Sequence, residues 1–268
     1  MTLESFEEYL QQENMAKNTI QAYLFTMRDY FAHHKELNKK NLLLYKTYLI
    51  ENRKPKTVNL RLQAINRYLD FIEKTKWKLK SVKVQQRSFL ENVISNADYV
   101  FLKNQLKQEN KMEWYFVVRF LAATGARVSE LVQIKVEHIQ IGYFDIYTKG
   151  GKIRRLFIPH TLREEAVIWL EQQKRTSGYM FLNRYGERIT PRGIAQQLKN
   201  FATRYQMNTK VVYPHSFRHR FAKNFLEQYQ DIALLADLMG HESIETTRIY
   251  LRRTGAEQQA IVDKVVIW

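Results

Sequence analysis

The sequence predicts a mainly α protein of the α+β class, in which a helical N-terminal domain precedes a mostly helical second domain that holds a small antiparallel β-sheet. Three observations lead there. Apolar residues recur at helical spacing from Leu3 to Ile72. Strict alternation replaces that spacing only between Ile139 and Pro159. A length of 268 residues favours one large or two ordinary domains. Hydrophobic residues at 45% and charged residues at 26%, with only 9 Gly and 4 Pro, describe a chain that folds throughout.

Taken in order, Phe6, Tyr9 and Leu10 mark a first helix, and Ile20, Tyr23, Leu24, Met27, Tyr30 and Phe31 a second with Asn18 or Thr19 as its expected N-cap. Asn41 is expected to open a third helix through Leu42, Leu43, Tyr45 and Tyr48. The run Lys54-Pro55-Lys56-Thr57 then breaks the pattern before Val58, Leu62, Ile65, Tyr68, Leu69 and Ile72 form a fourth. From Thr75 to Glu91, Lys76, Lys78, Lys80, Lys83 and Arg87 interleave with other residues and no helical stripe is visible. That stretch reads as an interdomain linker or as a basic loop or strand of a single domain. The expected division is a helical domain over 1–80, a basic linker over 81–92 and a second domain over 93–268.

In the second domain Ser95 is expected to cap a helix through Tyr99, Val100, Leu102 and Leu106, and Trp114 to Ala123 is apolar enough for a buried helix. Tyr143, Asp145 and Tyr147 alternate with Phe144, Ile146 and Thr148, Lys149-Gly150-Gly151-Lys152 supplies a turn, and Arg154, Leu156 and Ile158 form a return strand. Helices resume from Leu162. The C-terminal segment carries Ala260, Ile261, Val265, Val266 and Trp268, an apolar set too rich for a free end.

The formal charge is +16. A field of that sign and size attracts polyanions and releases their counterions, which makes nucleic acid the leading partner, although a solvated basic surface would read the same way. Residues 1–50 carry 6 basic and 6 acidic groups, whereas 51–92 carry 11 basic and 4 acidic, so the excess begins abruptly at the end of the first domain. The absence of cysteine excludes disulfides, thiol catalysis and cysteine-ligated zinc. The acidic, amphipathic start MTLESFEEYLQQEN has no secretion-signal pattern, and nothing approaches the roughly 18 apolar residues of a membrane span, so the expected setting is cytoplasmic with no membrane partner.

Three local features carry chemistry. In Thr124-Gly125-Ala126-Arg127-Val128-Ser129-Glu130-Leu131, Arg127 stands at the start of a helix, where the macrodipole is unfavourable for a cation and an anion is wanted; a salt bridge to Glu130 is the alternative. In Tyr213-Pro214-His215-Ser216-Phe217-Arg218-His219-Arg220, His215 and Arg218 share a helix face and could grip a phosphate and move a proton beside it. Leu238-Met239-Gly240-His241-Glu242-Ser243 is followed by Thr246-Thr247-Arg248-Ile249-Tyr250.

In their order and spacing these features resemble the tyrosine recombinase or phage integrase family, whose pattern is an arginine after a Thr-Gly turn, a lysine in a β-hairpin, His-x-x-Arg, a Gly-His and a tyrosine nine residues later. Arg127, Lys149, His215, Arg218, His241 and Tyr250 match it in that order. Lys17-Asn18-Thr19-Ile20-Gln21-Ala22-Tyr23 and Lys56-Thr57-Val58-Asn59-Leu60-Arg61-Leu62 look like the two helix openings of the family's core-binding domain. The resemblance covers nearly the whole chain and is nearest to the simpler, Xer-like members without an arm-binding module.

This resemblance implies a SAM-like helical core-binding domain and a catalytic domain closing around duplex DNA. It also implies strand exchange through a 3′-phosphotyrosyl link on Tyr250, without metal, ATP or other cofactor, in integration, excision, inversion or dimer resolution. Arg127 and Arg218 would bind the nonbridging oxygens, because guanidinium forks are permanently charged and match two phosphate oxygens. Lys149 would be the general acid, with Lys152 its nearest rival. His215 would assist proton transfer with the tyrosine, His241 would hydrogen-bond the phosphate, and Glu130 would orient Arg127 or His215.

His219 reads as structural, and Tyr205, Tyr213 and Tyr229 as packing residues. Lys17, Asn18, Thr19, Lys54, Lys56, Thr57, Asn59, Arg61, Lys83, Arg87 and Lys152 are the expected DNA contacts. The partners implied are duplex DNA with a specific core site, a synaptic tetramer in which the C-terminal tail docks on a neighbouring protomer or in cis, and accessory DNA-bending or directionality proteins. The rival readings are a silent DNA-binding or architectural protein of the same fold and a type IB topoisomerase.

Overall fold

The computed structural model describes residues 2–84, 92–147, 153–241, 243–251 and 255–266. Lys149, Lys152, Arg87 and Trp268 lie outside the described residues. The chain divides into two compact units, Met1–Gln86 and Arg87–Trp268.

The first unit is four helices, α1 (Leu3–Gln12), α2 (Lys17–His33), α3 (Lys39–Asn52) and α4 (Pro55–Phe71), followed by a 3-10 turn at Thr75–Trp77. Most of the apolar positions that predicted them point inward: Phe6, Leu10, Met27, Tyr30, Leu42, Tyr45, Leu62 and Leu69 are fully or almost fully buried, whereas Leu43 of the third helix is exposed. Perpendicular aromatic pairs, Phe6–Tyr68 at 4.9 Å and Tyr30–Tyr45 at 5.2 Å, fix the helices in the favoured edge-to-face arrangement.

The helix starts differ from the sequence expectation. The second helix begins at Lys17, so Asn18 and Thr19 lie inside its first turn. The third is capped by Asn38, whose side chain accepts the Asn41 N–H. Pro55 opens α4 at its first position, where its missing N–H costs nothing. Downstream, Asn66 clasps the backbone of Leu79, and Asn59 clasps that of Val82 through both its amide oxygen (2.8 Å) and nitrogen (3.0 Å).

The second unit contains α5 (Asn96–Gln108), α6 (Met112–Thr124), α7 (Val128–Leu131), α8 (Val136–Ile141), the strands β1 (Tyr143–Tyr147) and β2 (Ile153–Phe157), then α9 (His160–Gln172), α10 (Pro191–Arg204), α11 (Pro214–Gln228), α12 (Ile232–Met239), α13 (Ile244–Arg248), a 3-10 turn at Ile249–Leu251 and α14 (Gly255–Val265). Ser95 caps α5 as expected. The strands pair antiparallel with Phe144 opposite Leu156 and Asp145 opposite Arg155.

Helix α6, buried at Tyr115, Phe116, Val117, Val118, Phe120 and Leu121, is the axis of this core and packs against α11. A separate apolar cluster of Ala222, Leu226, Leu235, Met239 and Tyr250 fastens α12 and the 3-10 turn to α11. Val262, Val265 and Val266 of the C-terminal segment are exposed. No helix among the described residues is long and apolar enough to cross a membrane.

Candidate active site

Helix α6 stops at Gly125, which takes a left-handed conformation (φ 62°, ψ 17°). A Cβ there would lie 2.4 Å from Cδ1 of Phe221, so both backbone and space require glycine. The reversal makes Arg127 the N-cap of α7 and brings Glu130 beneath it. Glu130 accepts the Arg127 backbone N–H at 2.7 Å and Nη1 at 2.9 Å. Arg127 therefore has the carboxylate partner that its sequence position allowed, while 39% of its side chain stays exposed to a further anion.

Pro214 starts α11 and places His215 and Arg218 in its first turns. Ser216 points the other way: its buried Oγ accepts the Ile94 N–H at 2.7 Å and donates to the Asn92 carbonyl at 3.3 Å. Arg218 is 1% exposed. Its Nη1 donates to Gly125 O at 2.5 Å, and its Nη2 to Met239 O at 2.7 Å and His241 Nε2 at 3.1 Å. Burial, then the charge of Arg127, push its pKa down to about 10, which still leaves it cationic at neutral pH.

The end of α12 organises the cluster. Its last carbonyls have no partner within the helix and lie at the negative end of the dipole. Leu238 O accepts Arg154 Nη1 at 3.0 Å, Met239 O accepts Arg218 Nη2 at 2.7 Å, and Gly240 O accepts Arg127 Nη2 at 3.3 Å. Three consecutive carbonyls thus hold arginines from a strand, a helix interior and a helix N-cap. Gly240 closes the helix at φ 61°, and a Cβ on it would meet Arg154 Cδ at 2.5 Å.

Tyr250, in the 3-10 turn, is 6% exposed and lies against this cluster. Its ring stacks on His241 at 6.2 Å and tilts against His219 at 5.4 Å, and His219 stacks on His215 at 5.5 Å. Burial raises the phenol pKa, while the charge and hydrogen bond of Arg218 pull it back. His241 Nε2 faces a permanent donor, so it accepts, and the ring proton sits on Nδ1, donated to Thr247 Oγ1 at 2.7 Å. Burial and then the neighbouring arginines push His241 down to about 4 and lower His215; burial, then His215 and Arg218, take His219 to about 4. All three imidazoles are neutral at pH 7.

The structure therefore brings together Arg127, Glu130, His215, Arg218, His241 and Tyr250. Glu130 pairs with Arg127 and Arg154 and makes no hydrogen bond to His215 among those described. Lys149, Lys152 and Arg87 fall outside the described residues.

Two of the expected DNA contacts have partners within the first unit. Asn59 spends its amide on Val82, and Arg61 is paired with Asp29 at 3.2 Å and lies over the Phe25 ring. Lys17, Asn18, Lys54, Lys56 and Lys83 are exposed, and Thr19 and Thr57 are half-buried.

Sequence reasoning missed Arg154, which is 7% exposed and bound to Glu130 Oε2 at 2.5 Å, and Thr247, which is fully buried. The signal for Arg154 was its register: it shares the inward face of β2 with Leu156, where an unpaired charge would be prohibitive.

Comparison with known proteins accounts for both units. The model of the phage integrase family matches residues 90–257, and that of the phage integrase N-terminal SAM-like domain matches residues 2–80. Tyrosine recombinase XerA of Pyrococcus furiosus is 28% identical over 98% of this chain and 93% of its own length. Tyrosine recombinase XerD of Staphylococcus haemolyticus is 25% identical over 91% of this chain and 92% of its own.

Among solved structures, the XerH site-specific recombinase bound to a palindromic difH substrate shares the fold with a TM-score of 0.72 at 18% identity, over the full chain and 85% of its own. The Tn1549 transposon integrase in complex with transposon right end DNA does so with a TM-score of 0.71 at 14% identity, over 99% of each. The chain belongs to the phage integrase family and is a tyrosine recombinase of the simple, Xer-like kind.

Proposed function

We propose that this enzyme cleaves and rejoins duplex DNA at a specific core site through a covalent 3′-phosphotyrosyl intermediate on Tyr250. The observation that carries the reading is the convergence of Arg127, Arg218, His241 and Tyr250, from separate elements of the second unit, on the end of α12.

Attack on a phosphodiester concentrates negative charge on the nonbridging oxygens, and preorganised guanidinium donors stabilise that charge without reorganising. Arg127, the open fork, receives the phosphate first. The Arg218 donor now spent on the Tyr250 phenol passes to a phosphate oxygen as the phenol turns to attack. Tyr250 Oη bonds to phosphorus, the bond from phosphorus to the 5′-oxygen breaks, and the phenolic proton goes to His215, whose lowered pKa keeps it unprotonated at neutral pH. Lys149 supplies the proton for the leaving 5′-oxygen. Since the ester conserves the bond energy, a second 5′-hydroxyl can reverse the step, and no ATP or metal is required.

His241 holds Arg218 in the free protein through Nε2. Thr247 Oγ1 can either accept from or donate to Nδ1, so the opposite tautomer, with Nε2 donating to the phosphate, is open once DNA takes over the Arg218 donor.

Duplex binding by the first unit is supported by two helix starts, α2 at Lys17 and α4 at Pro55 after Lys54, which lack a side-chain cap and carry lysine and no acid in the first turn, so that each presents positive charge at the positive end of a helix dipole. Lys83, Arg87 and Lys152 extend that contact. The exposed valines of the C-terminal segment dock on a neighbouring protomer in a synaptic tetramer. The setting is the cytoplasm, and accessory DNA-bending or directionality proteins select the outcome.

The test is a nicked suicide duplex carrying sequence from beside the gene, incubated with the protein in EDTA and resolved on a denaturing gel. A protein-DNA adduct that Tyr250→Phe abolishes is the expected result. A shift on a native gel with no adduct on any verified target would make the protein a silent DNA binder, and relaxation without strand exchange would make it a topoisomerase.

A further inference from the structure

Arg154 sits among the proposed catalytic groups without a role in the chemistry, and its contacts are those of a spacer. Its guanidinium bridges two elements, with Nη2 on Glu130 Oε2 at 2.5 Å and Nη1 on Leu238 O at 3.0 Å. Arg127 uses the same two acceptor sources, Glu130 Oε1 at 2.9 Å and the α12 end at Gly240 O at 3.3 Å. One carboxylate is therefore divided between two guanidiniums.

The division matters because an isolated arginine and carboxylate prefer the two-armed, fork-to-fork pairing. Were both Glu130 oxygens free to face Arg127, that pairing would take two of its donors and much of its charge away from an incoming anion. Oε2 already accepts the Arg127 backbone N–H at 2.7 Å, and Arg154 adds a second, charged donor that holds this oxygen away from the Arg127 fork; Gly240, with no Cβ, lets the Arg154 stem pass against the turn.

We propose that Arg154 is a positioning residue, which by holding Glu130 Oε2 and the Leu238 carbonyl keeps Arg127 in a one-armed pairing with its remaining donors open to the scissile phosphate. This rests on the reading of Arg127 as a phosphate ligand. Arg154 also ties β2 to the helix end that holds Arg218, so the two sides of the site keep one spacing. Lysine cannot substitute: a single ammonium lacks the planar fork that spans both acceptors.

The test compares wild type, Arg154→Lys, Arg154→Met, Glu130→Gln and Arg154→Lys/Glu130→Gln. Single-turnover adduct formation on the nicked duplex is measured at saturating protein, with DNA affinity and thermal midpoint recorded for each variant. Arg154→Lys is expected to form adduct about 10- to 100-fold more slowly with DNA affinity within about twofold, a loss of roughly 1.4 to 2.7 kcal/mol in the barrier. Because Arg154 acts through Glu130, the double variant is expected to be no slower than its slower parent. A role in stability alone predicts a lowered midpoint with an unchanged rate at temperatures where the variant is folded, and independent roles predict multiplied losses; either overturns the proposal. Arg154→Met, of similar length and uncharged, decides the question if the lysine variant does not fold.

A second readout does not depend on turnover. In the Tyr250→Phe protein bound to DNA, the guanidinium N–H signals of Arg127 are expected to shift and broaden when Arg154 becomes lysine. If wild type forms no adduct on any duplex, the cleavage reading fails by itself, and an unchanged Arg127 signal then overturns the positioning role.

Discussion

Gly125→Ala is the sharpest test of how the site is built. Gly125 holds φ at 62°, and an added Cβ would stand 2.4 Å from Cδ1 and 2.9 Å from Cε1 and Cγ of Phe221. Gly186 supplies the matched control, because it holds φ at 78° with nothing within 4 Å of its missing Cβ. Forcing alanine into the left-handed region costs about 1–2 kcal/mol at either position. At Gly125 the collision with an aromatic ring packed between α6 and α11 adds the overpacking cost of about 1–3 kcal/mol. The two variants should thus differ by about 2 kcal/mol, which for a unit of this size is roughly 4–8 °C in Tm.

Thermal unfolding followed by circular dichroism, with the chevron midpoint in urea as a check, measures the difference. A functional consequence should accompany it, because the Gly125 carbonyl is the acceptor for Arg218 Nη1 at 2.5 Å. Displacing that carbonyl by a few tenths of an ångström should slow adduct formation even at temperatures where Gly125→Ala is folded, and Gly186→Ala should leave the rate alone. Equal Tm losses for the two variants would show that the close approach of Phe221 carries no energy, and the account of why the Thr-Gly turn places Arg127 would be wrong.

Three further outcomes are expected. Folding holds His219 and His241 near pKa 4, against about 6.5 in the unfolded chain, so the unfolded state binds the extra protons between those values. Stability should be flat above pH 6.5 and fall as the pH drops from 6.5 toward 4; a urea midpoint unchanged between pH 7 and pH 5 would contradict this. Ser216→Ala leaves the buried Ile94 N–H without its acceptor and should cost about 1–3 kcal/mol of stability in denaturant titrations, whereas a loss under about 0.5 kcal/mol would mean that another group takes over. Replacing Lys17, Lys54 or Lys56 by alanine should each lower the salt slope of DNA binding by about 1, while Arg61→Ala, which breaks the Asp29 pair, should lower stability and leave the slope unchanged.

Much of the fold was legible because periodicity reports burial directly. The four N-terminal helices, the buried α6 and the hairpin follow from the spacing of residues such as Leu62, Phe116 and Leu156. Helix starts were less legible because capping is a choice among neighbours. Asn38, Asn41, Asn18 and Thr19 are all competent caps, and only the path of the preceding turn decides that Asn38 caps α3 while α2 starts uncapped at Lys17. The intramolecular partners of Asn59 and Arg61 were illegible for a related reason. A polar residue in a basic helix opening looks solvent-facing, and the partners that bind these two, Val82 and Asp29, lie 23 and 32 residues away.

The active-site motifs were legible as residue types, but the device that spaces them was not, because it is built from backbone. Three guanidiniums within one site repel one another, and a single carboxylate cannot hold all three. The end of α12 resolves this by offering Leu238, Met239 and Gly240 carbonyls, whose partial charges attract cations without neutralising them. A site built from carboxylates instead would bind the arginines more tightly and leave less positive charge for a transition state that gains negative charge. This gives a physical reason for the Gly240-His241 pair beyond the histidine itself. Glycine ends the helix so that its carbonyls are unpaired, turns the chain left-handed to aim His241 at Arg218, and leaves room for Arg154. An alanine at Gly240 would disturb all three functions together, which is why substitution there should slow adduct formation more than its cost in stability explains.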